Sequence, residues 1–168
     1  MYRDCKALIA MMAAVGTMTF APTVAGHGDS RAKPKKANDS KMEQTAFGRT
    51  GDPAEVTRTI RVSMDDTMHF TPGDVVIRRG DTIRFKVSNN GKLMHEMVIG
   101  TMKELREHAE LMRRFPGMEH DEPYMAHVAP GKQEVIVWQF TKAGEYHYAC
   151  LIPGHMEAGM IAKVEVTE

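Results

Sequence analysis

Apolar and polar residues alternate along most of the chain beyond residue 55. From Val56 to Val62 (VTRTIRV), long or branched side chains recur at every second position, with the apolar set on one face. Ile83, Phe85 and Val87 alternate with Arg84, Lys86 and Ser88, and this run stops at Asn89-Asn90-Gly91. Val75-Val76-Ile77 is a short apolar run between the turn signals Pro72-Gly73 and Gly80-Asp81. Further strands are predicted at 95–99, 135–140, 144–149 and 161–166. One segment has the helical period instead. Thr101-x-x-Glu104 has the form of a capping box, and Leu105, Ala109 and Met112 share a face opposite Lys103, Arg106, Glu107, Glu110 and Arg113. Phe115-Pro116-Gly117 ends it. No internal repeat is found. The pattern predicts an all-β, antiparallel sandwich or barrel with one short helical excursion, in a single domain over residues 54–168.

The chain before that domain is patterned differently. Arg3 and Lys6, diluted by Asp4, precede an apolar stretch from Ala7 to about Phe20, and Thr23-Val24-Ala25 has the small residues of a cleavage site. Gly16, Thr17 and Thr19 interrupt the stretch, which is short for a membrane span. Residues 1–25 are therefore expected to be a cleavable export signal, leaving no membrane segment. Residues 26–53 are polar, Lys-rich and poor in apolar residues, the composition of a flexible linker. The whole chain carries 22 basic and 22 acidic residues, and losing Arg3, Lys6 and Asp4 leaves it near neutral. Neither nucleic acid nor an anionic membrane is expected as a partner, and the expected state is a monomer.

Cysteine usage sharpens the picture. Cys5 lies ahead of the apolar stretch, so an exported chain keeps only Cys150 and cannot form an internal disulfide. That thiol sits in CLIPGHMEAGM, a C-x4-H-x4-M run through His155 and Met160, directly after the aromatic strand GEYHYA. A second histidine, His95, lies upstream in LMHEMVIG. One thiolate, two imidazoles and one thioether are the donors of a mononuclear type 1 (blue) copper site, a His2Cys plane with a weak axial Met. The spacing suits the task. A strand delivers Cys150, a tight loop with Pro153-Gly154 returns His155, and a second turn brings Met160 to the head of the last strand. Strand geometry puts Tyr146, Tyr148 and Cys150 on one face and His147 on the other.

These two motifs carry a family resemblance. GEYHYACLIPGHMEAGMIAKVEV resembles the C-terminal ligand loop of the cupredoxins, the plastocyanin/azurin superfamily, and its C-x4-H-x4-M spacing is similar to that of rusticyanin. DDTMHFTPGDVVIRRGDTIRFKVSNNGKLMHEMVIG resembles the first-histidine region of bacterial periplasmic cupredoxins linked to copper tolerance. The resemblance covers roughly residues 56–168. It implies an eight-stranded Greek-key β-sandwich in the periplasm, with one copper cycling between Cu(I) and Cu(II). His95, Cys150 and His155 would be its equatorial ligands and Met160 its axial ligand. It further implies an exposed edge of His155 at which a redox partner or copper-handling protein docks weakly. One departure stands out: Glu96 follows the first histidine where plastocyanins and azurins usually have Asn. Its backbone N–H is expected to reach the Cys150 sulfur, while its carboxylate brings charge close to the site.

Other chemistries fit less well. Cys150 and His155 as a hydrolase pair leave Met160 without a role, and no oxyanion motif accompanies them. Zinc suits one thiolate with a thioether less than copper does. A binuclear copper centre needs a second cysteine in the loop, and a multicopper oxidase needs histidines where Ala149 and Leu151 stand. A copper nitrite reductase needs a second domain. The chain is therefore expected not to be an enzyme. The remaining contest is between a redox protein serving copper tolerance, a respiratory electron carrier, and a sequestration or delivery protein in which redox is incidental. The last is raised by methionine content. Of 15 methionines, four (Met1, Met11, Met12 and Met18) fall in the signal, and Met118, His120, Met125 and His127 fall in one loop, GMEHDEPYMAH, between helix and strand, a candidate second copper site. Met68, Met97, Met102 and Met112 read as core filler, and His69, His108 and His147 as surface histidines. His27 would lie near the exported N-terminus, where amine and imidazole together bind Cu(II).

Overall fold

The computed structural model describes residues 43–116 and 120–168. The expected signal at 1–25, His27 and Met118 lie outside the described residues. In chain order the elements are β1 (Gln44–Thr45), β2 (Gly48–Thr50), β3 (Arg58–Asp65), β4 (His69–Thr71), β5 (Val75–Arg78), β6 (Thr82–Asn89) and β7 (His95–Gly100). There follow α1 (Met102–Arg114), β8 (Met125–Val128), β9 (Gln133–Gln139), β10 (Gly144–Ala149) and β11 (Ile161–Thr167). They build two sheets, one of six strands ordered β1-β2-β9-β6-β3-β4 and one of five ordered β5-β11-β10-β7-β8. The described fold is the expected all-β sandwich with one helix, though its strands outnumber the implied eight because the short edge strands count.

The sheets are not purely antiparallel. β3 pairs parallel with β6, and β5 parallel with β11. Between β3 and β6 the chain crosses to the other sheet to lay down β5, so β6 returns beside β3 running the same way. Such a crossover is a long-range pairing that strand periodicity does not record.

Alternation fills the space between the sheets. Ile60, Val62 and Met64 from β3, Ile83, Phe85 and Val87 from β6, and Ile136 and Trp138 from β9 face Ile77, Met97, Ile99, Tyr146, Tyr148, Val164 and Val166. Tyr148 stands edge-on to Phe70, with centroids 5.0 Å apart, and its hydroxyl donates to the Pro72 carbonyl at 2.9 Å. A smaller cluster of Val98, Leu105, Met112, Met125, Ala149 and Leu151 lies on the other face of the five-stranded sheet, under α1. This explains why β7 is buried at every position rather than at alternate ones. The main core covers one of its faces and the helix covers the other. The helix starts as expected: the Thr101 hydroxyl accepts from the Glu104 N–H, and the Glu104 carboxylate accepts from the Thr101 N–H at 2.9 Å.

Two expectations are corrected. The linker assigned to 26–53 ends sooner, because β1 and β2 form a hairpin that joins the six-stranded sheet through β9. Phe47 is its anchor, 2% exposed and packed on Trp138, Tyr124 and Tyr146 at centroid distances of 5.2, 5.5 and 6.2 Å. Gly48 follows because a Cβ there would run into the Gln139 carbonyl and the Trp138 indole nitrogen. A single aromatic in a polar stretch has no period, so the hairpin left no pattern to read. Likewise the presumed loop 118–127 is part strand: Met125 and His127 lie on β8, paired with β7.

If the hairpin is part of the core, Phe47→Ala lowers the unfolding free energy of the folded domain by about 3–5 kcal/mol in a urea titration. A loss under about 0.5 kcal/mol, the level of an exposed surface change, would return residues 43–50 to the linker.

Candidate metal centre

His95 opens β7 and Cys150 directly follows β10. The two strands are antiparallel neighbours in register Ala149↔Val98, so the start of one and the end of the other meet at the same end of the sheet. The loop after Cys150 is wound back by its own backbone. The His155 N–H donates to Ile152, that of Ala158 to Gly154, that of Gly159 to Met156, and that of Met160 to His155, each at 3.0 Å. The Cys150 N–H then donates to the Met160 carbonyl at 3.0 Å, closing the loop. This brings His95, Cys150 and His155 together, with one ligand atom from each lying within 4.8 Å of the others. Cys150 Sγ is 3.2 Å from His155 Nδ1, and the two imidazole centroids are 5.0 Å apart. Met160 is fully buried in the same core cluster as Cys150.

The electrostatics are those of a dry pocket. His95 and Cys150 are fully buried and His155 half-buried. Burial pushes the Cys150 thiol up to about 12, and burial followed by the neighbouring His95 lowers the His155 imidazole. The Glu96 N–H points at Cys150 Sγ at 3.4 Å, as expected. His95 Nδ1 is buried with no hydrogen-bond partner among the described residues. An orphaned imidazole nitrogen beside the buried thiol and a second imidazole fits a soft-to-borderline metal ion, and this donor set fits copper.

Sequence reading missed the supports. The Glu96 carboxylate does not hang free near the site. It is 1% exposed, accepts from the Leu151 N–H at 2.9 Å, and pairs with His127 Nδ1 at 3.0 Å across the β7–β8 ladder. That hydrogen bond raises the His127 pKa against the effect of its burial. Asn89, fully buried at the end of β6, gives its side-chain N–H groups to the Leu93 and Val128 carbonyls, both at 2.8 Å, and accepts from the Gly91 N–H at 2.9 Å. Asp66 in the β3–β4 turn accepts from the Lys92 and Leu93 N–H groups at 2.8 and 3.1 Å and lies 3.2 Å from His95 Nε2. Those two backbone donors hold its carboxyl below the usual range. Asn89-Asn90-Gly91 signalled only a turn, and nothing in Asp65-Asp66-Thr67 signals a partner on another strand.

The second candidate cluster is rearranged. Met125 is buried under α1 with Val98 and Leu105, as packing. His127 is held between Glu96 and the His120 carbonyl, the latter at 3.1 Å. His108, expected as a surface histidine, meets His120 instead, with their Nε2 atoms 2.6 Å apart. His108 from α1, His120 from the segment before β8 and His127 from β8 thus form a histidine group, with the last two rings 6.2 Å apart.

Comparison with known proteins agrees with this geometry. The family of copper-binding proteins that includes plastocyanin and azurin matches residues 56–167. The copper-resistant cuproprotein CopI of Rubrivivax gelatinosus is 46% identical over 160 residues, which is 95% of this chain and 94% of that protein. CopI of Vibrio cholerae is 38% identical over 114 residues, 67% and 68% of the two chains. Among solved structures, an auracyanin of Roseiflexus castenholzii superposes with a TM-score of 0.58 at 18% identity, over 67% of this chain and 99% of that one, a likeness of fold.

A thiol this far above neutrality must lose its proton to bind a metal. With one proton released from Cys150, apparent copper affinity measured against a competing chelator rises about tenfold per pH unit between about pH 7 and 9. A flat profile would mean that Cys150 is not a ligand that enters protonated.

Proposed function

The chain belongs to the plastocyanin/azurin family of copper-binding proteins, and from that membership we propose a periplasmic type 1 copper protein that serves copper tolerance by one-electron redox. The observation that carries this reading is the convergence of His95, Cys150 and His155 from two strands and a loop, with His95 Nδ1 unpaired. His95, Cys150, His155 and Met160 would hold the copper. Copper, when bound, supplies reversible Cu(II)/Cu(I) chemistry at this donor set. The protein's part is to keep the donors fixed so that little moves when an electron passes. The closed hydrogen-bonded loop from Cys150 to Met160 and the Asn89 and Glu96 ties do this. Leu151, buried, and Ile152 and Met156, partly buried, exclude water.

Leu93 and Met94, each about half exposed beside His95, and Pro153 next to the loop histidine supply apolar surface at this end of the domain. This is the place for weak docking of a redox or copper-handling partner by a monomeric protein. Residues 1–25 act as the export signal and are removed. No helix among the described residues is long and apolar enough to cross a membrane. The function is binding and electron transfer rather than catalysis. The tolerance role rests on the CopI relatives, whose names record copper resistance.

One observation favours a second reading, sequestration or delivery with incidental redox. His108, His120 and His127 gather at one surface beyond the primary centre, and imidazoles in such a group bind copper.

The purified exported form with one Cu(II) is expected to show a strong visible sulfur-to-copper charge-transfer band that Cys150→Ser abolishes. Absence of the band in the parent protein would end the type 1 reading. Metal analysis separates the two readings. One tight copper supports the redox protein. Two or more, with the excess lost on replacing His108, His120 and His127 by Gln, supports the sequestration protein.

A further inference from the structure

We propose that Asp66 is a positioning residue of the metal centre: its carboxylate fixes the His95 ring with the proton on Nε2 and Nδ1 turned to the metal, and its charge stabilises the oxidised state. The proposal rests on the copper reading above. Asp66 lies in the turn between β3 and β4, far in sequence from every ligand, yet its Oδ1 is 3.2 Å from Nε2 of the fully buried His95. An ionised carboxylate only accepts, so the imidazole must donate there and keep its proton on Nε2. The other nitrogen, Nδ1, is then a lone-pair donor, and it is the one left buried without a partner. Ring orientation and tautomer follow from one contact.

The carboxylate is itself held. Oδ2 accepts from the Lys92 N–H and Oδ1 from the Leu93 N–H, so the segment leading into His95 is strapped to the group that orients the ring. Gly91 belongs to the same arrangement, because a Cβ there would collide with Asp66 Oδ1. A neutral acceptor would set the tautomer equally well. A carboxylate also places a negative charge behind the ring, which strengthens Nδ1 as a donor and favours the more highly charged ion. A simple loop brace needs only the two backbone contacts, and the third contact, to His95, distinguishes the two roles.

Two measurements test this. In metal-free protein at about pH 8, where an ordinary imidazole is neutral, 15N NMR of histidine should show His95 with its proton on Nε2. The proton on Nδ1 overturns the proposal, and this arm needs neither copper nor a variant. In the copper-loaded protein, Asp66→Asn keeps an acceptor oxygen but loses the charge. It should still bind one copper, with the Cu(I):Cu(II) affinity ratio raised about tenfold, a rise of ~59 mV in a one-electron potential. Asp66→Ala should show the same rise and a changed visible band. Ratios within about twofold of the parent in both variants, with copper bound, reduce Asp66 to a brace and overturn the charge role. A parent protein that takes up no copper defeats the copper reading instead, and leaves the tautomer result standing or falling by itself.

Discussion

Everything at this centre depends on β7 and β10 lying side by side. Their antiparallel register makes the head of one strand and the tail of the other coincide, and only there do His95 and Cys150 meet. Neither residue can be moved by a loop adjustment, because β7 is packed on both faces and β10 is hydrogen-bonded on both edges. The thiol and imidazole are therefore fixed by the same burial that stabilises the domain. The third donor, His155, comes on a loop whose successive backbone hydrogen bonds return it to the same point. Rigid strands carry two of the proposed ligands, His95 and Cys150, and a tightly wound loop carries the other two, His155 and Met160. That arrangement suits a centre whose geometry should change little between charge states.

Glu96 shows the cost of this packing and how the fold meets it. A carboxylate 1% exposed would be expensive alone, and an unpaired partner in such a pair costs about 3–5 kcal/mol. Here both oxygens are engaged, one by the Leu151 N–H and one by His127. The residue thereby ties three segments: its own strand, the ligand loop and β8. The same peptide unit directs its N–H at the Cys150 sulfur. A side chain whose charge the sequence placed close to the site is a structural tie, its two oxygens taken up by the Leu151 N–H and by His127.

The strands from β3 onward, the helix with its cap and the C-x4-H-x4-M loop were legible because each is a local pattern. Alternation at Ile83, Phe85 and Val87 or a Thr-x-x-Glu cap needs no knowledge of what lies opposite. What escaped was relational. Phe47 anchors a hairpin only because Trp138 waits ninety-odd residues later, and polar flanks gave it no period. Asn89 and Asp66 read as turn residues, which they are, but their side chains act on the segment entering β7, and no spacing rule links them to it. His108 faces His120 because α1 folds back over β7. Met125 was mistaken for a loop donor since four residues with one histidine, MAHV, do not alternate clearly enough to announce a strand. The parallel pairings escaped for the same reason, being decided by where the chain crosses between sheets.

The distribution of thioethers has a chemical consequence of its own. Cu(I) with oxygen yields peroxide and radicals, and methionine is among the side chains such species attack, becoming a polar sulfoxide that disrupts cores. Met64, Met97, Met112, Met125 and Met160 are all under 7% exposed. Met94, about half exposed beside His95, stands apart from them. A sulfoxide at Met94 would alter surface polarity and leave the packing between the sheets intact. The fold thus leaves a thioether that the packing does not need at the surface beside His95 and keeps Met64, Met97 and Met160 between the sheets, so that oxidation at that surface would come before loss of the structure beneath it.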